Sequence, residues 1–145
     1  MLGLLVVTHG RLAEELVSSV RNIVGSVEGL EAVSIAWNDD AEEASLRIRQ
    51  ARERVDRGSG VLLLTDMFGG TPTNLALSML EPDRFEIVTG VNLPMLIKFV
   101  NLREETTLAR AATSIAEQGR DSIQVASRLL GRRGVGDASP PKDGA

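Results

Sequence analysis

The chain contains a single histidine, His9, and no cysteine, so side-chain nucleophilic chemistry of the imidazole or thiol kind rests on one residue. His9 stands in Thr8-His9-Gly10, directly after the apolar run Leu2–Val7. A second cluster, Asp66-Met67-Phe68-Gly69-Gly70-Thr71-Pro72, follows the apolar run Gly60–Thr65, and a third, Gly90-Val91-Asn92-Leu93-Pro94, follows Phe85–Thr89. An imidazole, a carboxylate and a Gly-Gly-Thr turn at the head of a helix form a coherent set. Asp66, accepting from one ring nitrogen, fixes the tautomer of His9 and leaves the other nitrogen as nucleophile. Gly69 and Gly70 let the backbone approach an anion with no Cβ in the way. Thr71 is the expected N-cap of a helix with Pro72 at its first position, and the free N–H groups and dipole there favour a phosphate. The chemistry suggested is a phosphorylated imidazole, because phosphoryl transfer asks of a protein mainly positioning and charge stabilisation.

Each feature also has a plain structural reading. A lone histidine after a strand is more often a structural hydrogen-bonding group, an aspartate there commonly ties down its own loop, and Gly-Gly-Thr-Pro makes a good turn and helix start. Their convergence on adjoining strand ends favours function. Other phosphate chemistries fit less well. A receiver-type phospho-aspartate site needs acidic metal ligands where Thr8-His9-Gly10 stands, and a histidine phosphatase wants an Arg before its histidine and a second histidine. No Lys follows Gly69-Gly70, so the P-loop pattern is absent. A metal site with one His and no Cys would rest on carboxylates, and no such cluster is evident; no metal and no cofactor are expected.

The elements that must position these residues can be read from periodicity. Leu2–Val7, Gly60–Thr65 and Phe85–Thr89 are strand-length apolar runs, and Leu30–Trp37 alternates as a further strand. Helical spacing of apolar residues marks 11–27 and Asp40–Arg57, followed by shorter helices over Thr71–Leu80, Asn92–Asn101 and Thr106–Glu117. Asp121–Ser127 alternates once more and reads as a fifth strand. Repeated strand–helix–strand units of about thirty residues predict an α/β fold, a three-layer doubly wound sheet with mostly parallel strands and helices on both faces. Such sheets bind ligands at the carboxyl ends of their strands, where the strand order reverses. That places His9 and Asp66 across one crevice.

With 43% hydrophobic and 25% charged residues the composition is that of a globular domain. A net charge of −4, three Phe, one Trp and no Tyr argue against nucleic-acid binding. The N-terminal apolar run is too short for a signal-peptide core and no stretch approaches a membrane span, which predicts a soluble, cytoplasmic protein. Residues 131–145, rich in Gly, Pro and small polar groups, read as a disordered tail after a single domain over 1–130.

Taken together, Val7-Thr8-His9-Gly10, Asp66-Met67-Phe68-Gly69-Gly70-Thr71-Pro72-Thr73-Asn74 and Gly90-Val91-Asn92-Leu93-Pro94-Met95-Leu96 resemble the mannose-type (mannose/fructose/sorbose) enzyme IIA component of the bacterial sugar phosphotransferase system. The blocks stand in family order over about residues 1–130. The resemblance implies that His9 accepts a phosphoryl group from the phosphocarrier protein HPr and passes it to a IIB component, which phosphorylates sugar at a membrane permease. It implies that Asp66 orients the imidazole and that Gly69, Gly70 and Thr71 lie beside the phosphoryl group. It further implies a homodimer in which a last strand, matched by Asp121–Ser127, is exchanged between subunits. Phe68 and Thr71 stand where some members carry Trp and Ser. Some members continue into a fused IIB domain, so the expectation here is a separate IIB chain or none at all. The related phosphotransfer subunit of dihydroxyacetone kinase shares the fold but lacks the Gly-Gly-Thr-Pro pattern. Two other roles compete with transport. One is a regulatory module of an incomplete phosphotransferase system, whose phosphorylation state controls a partner protein; the other is a scaffold in which His9 is inert.

Overall fold

Leu2 to Val7 are apolar without a break because the strand they form is covered on both faces, and all six are buried. In a computed structural model describing residues 1–134, this strand is β1 (Gly3–His9). It is followed by α1 (Leu12–Val24), β2 (Leu30–Ile35), α2 (Ala41–Val55), β3 (Val61–Thr65), α3 (Thr71–Leu77) and β4 (Phe85–Thr89). Three helices complete the described chain: α4 (Leu93–Leu102), α5 (Leu108–Asp121) and α6 (Ala126–Gly134). The four strands pair in the order β2-β1-β3-β4, all parallel, so the expected doubly wound α/β sheet is present.

Alternate residues of the central strands feed two separate cores. Leu4 and Val6 of β1, with Leu62 and Leu64 of β3, meet Val17 and Val20 of α1, Leu96 and Phe99 of α4 and Ile115 of α5. Leu5 and Val7, with Val61 and Leu63, face the other way onto Ala44, Ile48, Ala51 and Val55 of α2 and Ala76 of α3. This makes three layers, with β1 and β3 central. Each of the buried Val, Leu, Ile and Phe side chains among these contributes roughly 1.5–3 kcal/mol relative to exposure, so the middle of the sheet is its stiffest part. The edge strand β2 is shielded along its outer side. Arg47 donates to the Ser34 carbonyl, and Arg54 pairs with Glu31 at 2.9 Å.

Four details depart from the expected outline. Asp121–Ser127 is not a strand: Asp121 ends α5, and the Ile123 N–H still donates to the Arg120 carbonyl before α6 begins at Ala126. An alternating segment becomes a strand only when an edge pairs with it. Within this chain it lies against none of the four described strands, and Ile123 stays 78% exposed. Second, α3 starts one residue earlier than a Thr71 cap requires; Gly70 is the N-cap and Thr71 the first helical residue. Third, β2 stops at Ile35, leaving Trp37 in the connection to α2. Fourth, α6 takes in 131–134, assigned above to the tail, whose remainder lies outside the described residues. Among the described residues no helix is long and apolar enough to cross a membrane.

Candidate active site

The strand order β2-β1-β3 brings three carboxyl ends side by side, with β1 in the middle. His9 is the last residue of β1, two residues further along the strand than the end of the apolar run, and Asp66 is the first residue after β3. The chain turns away from β1 through Gly10, whose φ of +55° lies in the left-handed region and whose N–H donates to the Ile35 carbonyl at 2.8 Å. The buried Thr8 hydroxyl accepts from the Ala13 N–H at 2.7 Å. It thereby satisfies an N-terminal donor of α1, which has no side-chain cap of its own, and locks the helix to the strand end that carries His9.

Asp66 holds His9 twice through one oxygen. Its Oδ2 accepts the His9 backbone N–H at 3.0 Å and lies 2.8 Å from the ring Nδ1. Its Oδ1 accepts the Met67 N–H at 3.0 Å and the Thr65 hydroxyl at 3.3 Å. Both carboxylate oxygens are therefore saturated from one side by fixed donors. Burial pushes this carboxyl up and is the largest single influence. The His9 backbone N–H, the His9 ring with its charge and the Met67 N–H together outweigh it and hold Asp66 below the usual carboxylate range. An ionised acceptor at Nδ1 assigns the ring proton to that nitrogen and leaves the lone pair on Nε2. The two side chains are each only 17% exposed.

Nε2 faces the glycine turn. A Cβ at Gly70 would lie 2.6 Å from His9 Cε1 and 3.1 Å from Nε2, so the ring occupies space that any other residue at 70 would claim. Gly69 has no such neighbour, but its φ of +89° calls for glycine. The two glycines thus have different reasons to be glycine, which the Gly-Gly pair alone does not disclose. Thr73 ties the loop back by donating to the Met67 carbonyl at 2.5 Å. With Gly70 as N-cap, α3 begins without a side-chain cap, and Thr71 is exposed on its first turn. The sequence-derived set His9, Asp66, Gly69, Gly70 and Thr71 thus falls within one neighbourhood. The Gly90–Pro94 block serves instead to start α4, where the Asn92 side chain accepts from the Met95 N–H at 3.2 Å.

Trp37 was not among the expected site residues. Its indole stacks on the His9 ring, centroids 4.9 Å apart and planes 27° from parallel. The signal available in the sequence was its position beyond the end of the second strand, which the apparent alternation through Trp37 concealed. Among the described residues no group of three or more His, Cys, Asp or Glu is placed to hold a metal ion.

An all-parallel α/β sheet with a histidine–aspartate pair at its carboxyl edge defines the class, and comparison with known proteins gives the family. Residues 3–116 match the family model for the mannose-type EIIA domain, described as the PTS system fructose IIA component, and the chain belongs to that family. It is 31% identical over 131 residues to the PTS system fructose-specific EIIA component of Bacillus subtilis, covering 90% of each chain. It is 26% identical over 125 residues to the PTS system mannose-specific EIIAB component of Escherichia coli K12, spanning 39% of that protein's length. Among solved structures, the PTS IIA protein associated with the fucose utilization operon of Streptococcus pneumoniae superposes with a TM-score of 0.79. It is 25% identical, and the match covers 89% of this chain and 96% of that one.

Proposed function

We propose that the protein is a phosphocarrier of the sugar phosphotransferase system, accepting a phosphoryl group on Nε2 of His9 from phosphorylated HPr and passing it to a IIB component. The observation that carries this reading is the doubly anchored His9–Asp66 pair, whose free nitrogen faces a backbone turn without side chains. Asp66 keeps the proton on Nδ1 and stabilises the positive charge that the ring acquires as Nε2 attacks phosphorus. Gly69, Gly70 and Thr71, leading into α3, supply the anion-facing side of the site. The site lies on an open rim, with Met67 55% and Phe68 70% exposed in the loop after Asp66. An apolar rim around a reactive nitrogen suits a protein donor and acceptor better than a small molecule.

Intact-protein mass spectrometry after incubation with enzyme I, HPr and phosphoenolpyruvate tests the proposal. One acid-labile phosphoryl adduct, located to the peptide bearing His9, is expected. No adduct on folded protein, with HPr shown to be charged, would reject it. The family relationship further supports a homodimer, and the exposed Ile123, Val125 and Leu130 near the C-terminal end of the described chain are apolar groups that a second copy would cover. Sedimentation equilibrium is expected to return twice the chain mass; a single-chain mass at micromolar concentration would remove the dimer from this reading.

A further inference from the structure

Trp37 is the only tryptophan of the chain, and it is 86% exposed. An indole left this open to water forfeits most of the burial that normally favours the residue. Yet its position is defined. The connection from β2 to α2 closes as a turn in which the Asp39 N–H donates to the Ala36 carbonyl at 3.1 Å, and the Ala36 N–H donates to Asp39 Oδ2 at 2.8 Å. Asp39 also lies 3.5 Å from Arg47 of α2, and Asp40 caps that helix by accepting from the Glu43 N–H. Trp37 sits in the middle of this braced turn, one strand away from His9, and lays its ring on the imidazole.

From this geometry we infer that Trp37 is a positioning residue for phosphoryl transfer, restraining the face of the His9 ring while Asp66 restrains its edge. A hydrogen bond to Nδ1 fixes the in-plane direction of the ring but leaves it free to rock about the Nδ1···Oδ2 line. A flat partner 4.9 Å away opposes that rocking. The indole also presents its electron-rich face to a ring whose charge changes during the reaction. As the Nε2 lone pair forms the bond to phosphorus, the bond from phosphorus to the donor breaks and its electron pair returns to the donor. The proton on Nδ1 stays, shared with Asp66, and the imidazole becomes cationic. A cation over a tryptophan face is stabilised relative to the neutral ring, so the stack favours the transition state over the resting state.

The inference rests on the phosphocarrier reading, and the experiment separates the two. Rapid-quench mass spectrometry with phosphorylated HPr at varied concentration gives kcat and KM for phosphoryl uptake by the wild type, Trp37→Leu and Trp37→Phe. Removing the aromatic face with leucine is expected to lower kcat about three- to tenfold with KM unchanged. Phenylalanine is expected to restore it to within about twofold, since a flat ring remains. Because no other tryptophan contributes, emission from Trp37 in the wild type is expected to change at the same rate as the adduct forms. Residue 37 is exposed and outside both cores, so both variants are expected to fold as the wild type does, and circular dichroism checks it. A leucine variant with wild-type kcat, or one altered in KM alone, would overturn the positioning role and leave phosphoryl transfer on His9 standing. A wild type that takes up no phosphoryl group from charged HPr overturns both.

Discussion

A chain carrying His9→Gln is expected to take up no phosphoryl group from phosphorylated HPr while folding as the unsubstituted chain does. Glutamine has no nucleophilic nitrogen, so no covalent intermediate can form at residue 9. The fold should tolerate the change. His9 is at the end of β1, outside both hydrophobic cores, and a glutamine amide can still donate toward Asp66. Even complete loss of this one side-chain hydrogen bond would cost only about 1 kcal/mol, so the Tm is expected to fall by no more than roughly 2–8 °C in a domain of this size. Mass spectrometry and a thermal melt on the same sample read both quantities. An adduct that persists in the variant would place the phosphoryl group elsewhere and remove His9 from the mechanism.

The second large effect is expected from Asp66→Asn. The amide matches the carboxylate in shape but has one oxygen where two are needed. Oδ2 meets two donors from His9, and Oδ1 meets the Met67 N–H. Whichever way the amide is turned, its NH2 group faces a backbone N–H. The variant should keep the sheet, whose cores do not involve Asp66, but lose the fixed tautomer and orientation of the imidazole. A reacting group misplaced by about 1 Å can cost about 10²-fold in rate, and a fall of that order in phosphoryl uptake is expected, read by the same rapid-quench assay. Uptake at the normal rate would show that Asp66 only ties its loop.

The same substitution has a signature in stability against pH. The carboxyl of Asp66 is held below its ordinary value in the folded chain, so the folded state binds the proton less readily than the unfolded one. Its contribution to stability is fully present above the unfolded carboxylate value and is lost as pH falls through the lowered folded value. Urea melts taken down through that acidic window should show the wild type losing stability more steeply than Asp66→Asn. Equal slopes would mean that the pairing with His9 contributes nothing to folding.

Much of this arrangement was legible from residue order. Leu2–Val7 and Gly60–Thr65 could be read as buried strands because a run apolar on both faces has few other places to go. Once they were parallel neighbours, His9 and Asp66 had to face one another. What escaped was decided by contacts that no local pattern encodes. Ile123 and Val125 alternate as a strand would, but strand formation depends on a free edge elsewhere, and within the single chain these residues join the end of one helix to the start of another. Thr71 has good capping chemistry, yet Gly70 takes the cap position because the loop from Asp66 must pass close beneath the imidazole. Trp37 looked like the last residue of an alternating strand; the turn closed by Ala36 and Asp39 carries it off the sheet and onto His9.

The imidazole of His9 fills the place where a side chain at position 70 would begin, so the identities of residues 9 and 70 are not independent. In a lineage that kept this sheet but no longer needed the histidine, substitution at 9 would free position 70 to accept alanine or serine. Position 69, constrained by its own backbone and not by a neighbour, would remain glycine. The pair therefore forms a two-part record of use. Among relatives, glycine at 69 testifies to the turn, and glycine at 70 testifies to a histidine still resting against it.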